Sequence, residues 1–185
     1  MEPVVRVGVT VTFLRMSARP AEPAPPIPEG ASVRRLTAPT VPFYRYLYDT
    51  VGERYVWWLR RALAPSELAA IIRHPRVTIH VLYQGGEPAG FFELDARPSP
   101  DINLSYFGLM PHVVGRGLGH AFLRAAVDEA WRARPRSFTV NTCTADHPRA
   151  LPLYRRVGFS PFREVFELWD VPLRLAMPIP QGLRI

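Results

Sequence analysis

The strongest pattern in this sequence of 185 residues is an amphipathic helix predicted over residues 117–134. Its apolar residues recur at every fourth position, which places them on one helix face: Leu118, Phe122, Ala126 and Ala130. The polar residues of the opposite face have the same spacing: Arg116, His120, Arg124, Asp128 and Arg132. We expect this second face to meet solvent, with Asp128 able to pair with Arg124 and Arg132.

Strand patterns lie on both sides of this helix. Segments that are rich in valine and threonine, or that alternate in polarity, predict strands at 4–16, 32–36, 76–83, 89–94, 102–110, 137–143 and 159–169. The last of these segments is expected to be either a bent strand or a hairpin. Shorter helical patterns occupy parts of 40–63, the segment after Pro65, and 147–157, where Pro152 is expected to cause a kink. This order predicts an α/β (α+β) fold with a mixed sheet. The many prolines of residues 18–30 predict an extended connector.

The composition narrows the class of protein. With 48% hydrophobic and 21% charged residues, the chain is expected to form one globular domain over residues 1–185. The sequence has no apolar run near the ~18 residues of a membrane-spanning helix and no signal-peptide pattern, so a cytoplasmic protein without a membrane partner is expected. The single Cys143 argues against a disulfide framework and against a multi-cysteine zinc site, and no metal is expected.

All 23 basic residues counted as Lys or Arg are arginine, and the net charge is +7. Such an excess is compatible with a phosphate-bearing partner, and equally with the codon usage of a GC-rich genome. The arginines are scattered and form no dense basic run interleaved with aromatic residues, so nucleic acid is not the expected partner.

The segment PHVVGRGLGH, residues 111–120, joins a predicted strand to the strongest helix. Gly115, Gly117 and Gly119 leave the backbone open at the helix N-terminus, where unpaired N–H groups and the helix dipole favour a phosphate. A tight structural turn is the alternative. The lack of lysine excludes a Walker loop, and the glycine spacing differs from the Gly-x-Gly-x-x-Gly dinucleotide fingerprint.

Two motifs carry a family resemblance. The run YFGLMPHVVGRGLG resembles the acetyl-CoA-binding motif of the GCN5-related N-acetyltransferases (GNAT), in which Gln/Arg-x-x-Gly-x-Gly/Ala falls on residues 114–119. The downstream run DHPRALPLYRRVGF resembles the family's Asn-x-x-Ala-x-x-Leu-Tyr-x-x-x-Gly-Phe. Val114 stands where the family usually has Gln or Arg, and His147 stands where it has Asn.

The resemblance implies a mixed, mostly antiparallel, splayed central sheet flanked by about four helices. It also implies that the backbone of the glycine-rich loop holds the pyrophosphate of acetyl-CoA, a loop made of Val114, Gly115, Arg116, Gly117, Leu118, Gly119 and His120. The backbone of Phe107, Gly108 and Leu109 would pair with the pantetheine arm, and one N–H there would stabilise the developing oxyanion. Tyr154 falls on the usual general acid, which protonates the leaving thiolate; a packing role is its alternative.

The general base and the acceptor site are less specific. Glu93 is the first candidate for the base because it interrupts an apolar strand, although it could also face outward. Asp101, Asp146, His112, His147 and a water chain stay open, and Cys143 is expected to be structural and not a nucleophile. The expected acceptor wall consists of Tyr46, Tyr55, Trp57 and Trp58. Asp49 or Glu53 could bind an amine, and Arg54, Arg60 or Arg61 a carboxylate.

Together these features predict an acetyl-CoA-dependent N-acetyltransferase. Its acceptor would be the primary amine of a small molecule, either amino-acid-like or another amine, which attacks the thioester directly in a ternary complex. Two alternatives stay open, a non-catalytic acyl-CoA sensor and an acetyltransferase of protein or peptide amines. A homodimer is also left open.

Overall fold

The computed structural model describes residues 2–185, which form one seven-stranded sheet with the strand order β2-β3-β4-β5-β6-β1-β7. The strands are β1 Val4–Met16, β2 Ala31–Arg35, β3 Val77–Gln84, β4 Glu87–Asp95, β5 Ile102–Leu109, β6 Phe138–Cys143 and β7 Ser160–Pro172. All neighbouring strands are antiparallel except β5 and β6, which are parallel. The predicted mixed, mostly antiparallel sheet is therefore confirmed, and the last segment is one long strand and not a hairpin.

The described residues contain five α-helices: α1 Val41–Gly52, α2 Leu59–Ala62, α3 Pro65–Ile72, α4 Leu118–Arg132 and α5 Ala150–Val157. Pro152 occupies the third position of α5, in the first turn, where a backbone N–H would lack a partner within the helix. Leu153 already donates from its backbone N–H to the carbonyl of Arg149, at 3.0 Å. The helix therefore runs unbroken through the proline, contrary to the expected kink.

The sheet splits between β5 and β6. These strands pair only where Ile102–Leu104 faces Phe138–Val140, and they separate beyond that point. On the other side of β5 the register with β4 shifts, because Glu93 pairs with Tyr106 and Leu94 pairs with Leu104. Ser105 is thus the extra residue of a β-bulge, which bends a strand locally. The bulge lies at the position where β5 departs from β6.

The main core lies between the sheet and the helices. The four apolar residues of α4 named above are all at most 2% exposed, so the apolar face of this helix is confirmed. A second cluster of buried apolar residues includes Val7, Val9 and Val11 of β1 together with Val56 and Ile179. None of the helices in residues 2–185 has the length and apolar character needed to cross a membrane.

The polar face of α4 is not fully open to solvent. Arg124 is only 6% exposed and donates to the backbone carbonyl of Glu22, at 2.6 Å, in the proline-rich connector. Asp128 pairs with Arg19 of the same connector at 2.8 Å, and not with its helix neighbours. The expectation of a solvated face was wrong at Arg124. An extended proline-rich segment has few backbone N–H groups with which to pair as a β-strand, but its carbonyls remain free. An arginine side chain can donate hydrogen bonds to them.

We predict that His80 makes the fold less stable in acid. This side chain is 6% exposed, its ring stacks on Phe92 with centroids 4.6 Å apart, and its Nε2 has no hydrogen-bond partner among the described residues. Burial lowers the pKa of His80 from 6.5 to about 4; Glu129 raises it in part, while Arg35 and Arg132 lower it further. As pH falls below 6.5, the unfolded chain therefore gains a proton that the folded protein takes up only near pH 4.

His80→Phe keeps the stacking and removes the titration. Between about pH 7 and about pH 4.5, its free energy of unfolding should fall by roughly 2 kcal/mol less than that of the wild type, because carboxylates contribute equally to both. Urea denaturation at the two pH values measures this difference. An equal fall in the two proteins would show that His80 does not titrate abnormally.

Candidate active site

A cavity of about 540 Å³ lies where β5 and β6 separate. One wall is β5 from Leu104 to Leu109, and the facing wall is β6 from Val140 to Cys143. The turn before α4, the residues around the start of α5 and the segment between α1 and α2 complete the walls. The cavity has the size of a small-molecule site.

Phe107, Gly108 and Leu109 all line this cavity. A Cβ atom on Gly108 would lie 2.3 Å from Cγ1 of Val51, so only glycine lets α1 pack this closely against β5. Beyond Leu104 the β6-facing edge of β5 has no strand partner. Its backbone groups on that side are therefore available to a ligand.

The glycine-rich loop forms a cradle at the start of α4. Gly115 and Gly117 have φ values of 86° and 83°, and a Cβ atom on either would have no neighbouring atom within 4 Å. Gly117 is the N-cap of α4, and the backbone N–H groups of the first helical turn have no partners within the helix. Open space beside unpaired amides at a helix N-terminus fits a phosphate group.

The other members of the loop divide into two groups. Val114, Gly119 and His120 line the cavity together with Gly115 and Gly117. The side chain of Leu118 instead packs in the core, at 2% exposure, and Arg116 is exposed and outside the cavity walls. Only the backbone of these two residues belongs to the cradle.

Tyr154 lines the cavity and is 6% exposed. Its ring lies 6.3 Å from that of Phe107 and 5.9 Å from that of Phe159. Within residues 2–185 its hydroxyl has no hydrogen-bond partner. Burial raises the pKa of Tyr154 well above its ordinary value, with a smaller contribution from Asp146. The phenol is therefore protonated at neutral pH and can donate a proton to a group inside the cavity.

Asp146 supplies the carboxylate of the cavity. Its Oδ2 accepts from the hydroxyl of Thr142 at 2.7 Å and from the backbone N–H of Cys143 at 3.0 Å. Its Oδ1 accepts from Nε1 of Trp57 at 3.3 Å. Burial raises the pKa of Asp146, although these hydrogen bonds oppose the shift. A carboxylate that is fixed by hydrogen bonds and has a raised pKa is suited to accept a proton.

His147 and Cys143 stand beside Asp146 on the cavity wall. Nδ1 of His147 accepts from the backbone N–H of Arg149 at 3.1 Å, two residues on, as an Asn side chain does in a turn. Burial raises the pKa of Cys143 to about 12. The thiol is therefore protonated at neutral pH, which fits a packing role better than a nucleophilic one.

The aromatic wall depends on a strained residue. Val56 is β-branched, 1% exposed and has a φ of 54°, a left-handed conformation that such residues rarely adopt. After this turn, Trp57 packs against the main core, where its ring lies 5.1 Å from that of Tyr106. The next residue, Trp58, packs against the second cluster. Tyr55, Trp57 and Trp58 all line the cavity.

Tyr46 is not part of this wall. It is 48% exposed and stacks on Phe43, with ring centroids 6.2 Å apart, away from the cavity lining. Its place on the wall is taken by Tyr106 of β5, which the sequence did not single out. The aromatic periodicity of the α1 region does not distinguish its outer face from its inner face.

Glu93 is fully buried and lies outside the cavity lining. Its Oε2 accepts from the hydroxyl of Tyr44 at 2.5 Å, and its Oε1 accepts from Nη2 of Arg60 at 2.7 Å. Both oxygens are therefore engaged. The carboxylate that interrupts the apolar strand is explained by a buried ion pair with α2, a contact that no local pattern predicts.

The remaining candidates for the base lie elsewhere. Asp101 binds Arg136 at 2.7 Å and Ser137 at 3.0 Å, next to the first residue of β5, and His112 is exposed in the turn after that strand. Within residues 2–185, no three His, Cys, Asp or Glu side chains are grouped so that they could hold a metal ion.

Comparison with known proteins agrees with this architecture. The model of the Acetyltransferase (GNAT) family matches residues 40–159. A GCN5-related N-acetyltransferase from Sphaerobacter thermophilus has 17% identity and a TM-score of 0.62, with 92% of this chain and 53% of that chain covered. A tandem GNAT protein from the clavulanic acid biosynthesis pathway has 16% identity and a TM-score of 0.63, with 91% and 55% covered.

An IAA acetyltransferase from Bacillus cereus has 21% identity and a TM-score of 0.56, with 72% of this chain and 79% of that chain covered. No curated protein matches. The chain spans about half the length of the Sphaerobacter protein and of the tandem protein, and at these identities the structural likeness concerns the fold. The family match extends over more than half of the sequence, from α1 to the residue before β7, and the chain therefore belongs to the GNAT acetyltransferase family.

Proposed function

We propose that this protein transfers an acetyl group from acetyl-CoA to the primary amine of a small molecule in a ternary complex. One observation carries the proposal: a single cavity has the glycine cradle, a protonated phenol and a carboxylate on its walls. These are the three groups that such a transfer needs, namely a phosphate site, a proton donor and a proton acceptor.

The cradle supports binding of acetyl-CoA, which supplies an activated acyl group. The backbone N–H groups at Gly117, Gly119 and His120 would hold the pyrophosphate, because they have no partners within α4. The unpaired edge of β5 at Phe107–Leu109 would bind the amide groups of the pantetheine arm as an added strand does.

Tyr154 would donate the proton that the leaving sulfur requires. Its raised pKa keeps the hydroxyl protonated, and its position on the cavity wall keeps it near the unpaired edge of β5. The absence of a hydrogen-bond partner among the described residues leaves this O–H free to act.

Asp146 is the base that the geometry favours. An amine is an ammonium ion at neutral pH and must lose a proton before it attacks, directly or through water. Asp146 combines a cavity position with a raised pKa, and the rings of Tyr55, Trp57 and Trp58 line the same cavity. Aromatic faces beside a carboxylate favour a cationic amine. Glu93 is the second candidate, although Tyr44 and Arg60 engage both of its oxygens.

A screen of amines tests the proposed function. Release of free CoA from acetyl-CoA, with product mass identifying both partners, should reveal at least one small primary amine as acceptor. Tyr154→Phe should lower kcat about 10²-fold or more while binding of acetyl-CoA is retained, because only the proton donor is removed. If the protein binds acetyl-CoA but releases no free CoA with any amine of a broad panel, the sensor alternative is favoured. Transfer only to peptides would favour a protein acceptor.

The pH dependence of kcat/KM tests the base. Because the pKa of Asp146 is raised and the base acts unprotonated, the wild-type rate should fall as pH drops through that pKa. Asp146→Asn should lower the neutral-pH rate about 10²-fold and abolish this acid limb. Glu93→Gln should retain the limb. The opposite pattern, with the limb lost only in Glu93→Gln, would assign the base to Glu93.

The cradle is tested by two glycine substitutions with the same strain. Gly117 and Gly30 have φ values of 83° and 76°, and neither would bring a Cβ atom within 4 Å of another atom. Each change to Ala should therefore cost roughly 1–2 kcal/mol of stability. Only Gly117→Ala should weaken CoA binding, by about tenfold or ~1.4 kcal/mol in calorimetry. Equal CoA affinities in the two variants would contradict the assignment of the loop.

A further inference from the structure

A second cavity, of about 410 Å³, lies beside the first. Leu59, Ser105 and Tyr106 line both cavities, so they form the partition between them. Arg60 and Asn103 also line the second cavity. The chain thus places an arginine next to the aromatic wall of the proposed active site.

We propose that this second cavity binds a carboxylate group of the acceptor, with Arg60 as its ligand. The inference rests on the proposed function and specifies its substrate class: an amine that also bears a carboxylate, with enough chain between the two groups to reach across the partition. The amine would lie on the Asp146 side of the partition and the carboxylate on the Arg60 side.

The first argument is the unused hydrogen-bonding capacity of Arg60. A guanidinium has five N–H donors, and here only Nη2 is engaged, with Oε1 of Glu93 at 2.7 Å. Nε is buried without a partner and is out of reach of a ligand in the cavity. Nη1 has no partner within the described residues and is not buried in this way, so it is the nitrogen that remains available to a carboxylate.

The second argument is preorganisation. The side chain of Arg60 is 13% exposed, and Glu93, at 0% exposure, fixes one end of the guanidinium. The carbon of the guanidinium lies 5.4 Å from the centroid of the Tyr106 ring, which supports its face. Glu93 is therefore a positioning residue for Arg60, and a fixed planar fork suits a carboxylate.

The third argument is the local charge. Three arginines are grouped here, Arg45, Arg60 and Arg61, against the two carboxylates of Asp49 and Glu93. Arg61 pairs with Asp49 at 3.1 Å, whereas Arg45 donates to the backbone carbonyls of Arg60 and Leu63. The positive charge left over by these pairs is that of Arg45, which lies against the backbone of Arg60 and so makes the surroundings of Arg60 net positive. The nearby Asp95 and Arg97 pair with each other at 2.6 Å and add no net charge.

The partition gives the ligand further contacts. Ser105, the bulged residue of β5, accepts a hydrogen bond from Asn103 at 3.3 Å, so its own hydroxyl proton can be donated to an anion. Across the partition the ring of Tyr106 lies 5.1 Å from that of Trp57, whose Nε1 donates to Asp146. The proposed anion and amine sites are therefore linked through two aromatic side chains.

The test uses three forms of the best acceptor from the amine screen: with a carboxylate, with the carboxylate as its primary amide, and without it. The wild type should show the lowest KM for the carboxylate form, by about tenfold, with product mass confirming N-acylation. Arg60→Lys keeps a charge for Glu93 but loses the planar fork. It should raise KM for the carboxylate form more than for the other two, and so abolish the selectivity.

Arg97→Lys is the matched control, because Arg97 is a neighbouring arginine outside both cavities. It should retain the selectivity. The double variant Arg60→Gln with Glu93→Gln removes both charges of the buried pair together, and it should lose the selectivity without leaving a buried carboxylate unpaired. Calorimetry with phenylacetate, which has a carboxylate and no amine, should detect binding to the wild type and not to Arg60→Lys.

The outcomes separate the two proposals. Transfer with equal KM for all three forms, or selectivity that survives both Arg60 variants, would overturn the carboxylate site and leave the acetyltransferase proposal intact. A complete lack of transfer to any amine would defeat the proposed function itself. A preference for the amide or for the amine without carboxylate would likewise overturn the inference.

Discussion

The short parallel contact between β5 and β6 is the constraint on which the site depends. Pairing ends at Leu104 and Val140, and the β-bulge at Ser105 lies where the strands begin to separate. A continued ladder would fill the space that is now the cavity and would occupy the free edge of β5. The interruption leaves backbone groups unpaired within the middle of a sheet, an arrangement that a bound ligand would complete.

The sequence predicted the strands, the apolar face of α4 and the glycine cradle, because each depends on residues close together in the chain. Periodicity determines which face of α4 is buried, and alternate glycines before a helix indicate an open backbone. The family resemblance also singled out Tyr154, which lines the cavity, and its role as proton donor stays a prediction. These features account for one half of the candidate site, the half proposed to bind CoA.

The other half depends on contacts between distant segments. Glu93 looked like a base because a lone carboxylate on an apolar strand suggests chemistry, but its partner Arg60 lies 33 residues away on a four-residue helix. Tyr46 and Trp57 have similar aromatic surroundings in the sequence, and only the packing of α1 and the turn at Val56 separate them. Asp146 was one of several open candidates, and its burial beside Trp57 distinguishes it.

The proline-rich connector joins the two halves of the split sheet. Strands β2 to β5 form one half and β6, β1 and β7 form the other, joined by only three residue pairs. The connector leaves β1 in the second half and enters β2 at the far edge of the first. On the way it is fastened to α4 through Glu22 with Arg124 and through Arg19 with Asp128. The segment between β1 and β2 is thus a second covalent connection between the two halves, and α4, which follows β5, is the element that holds it.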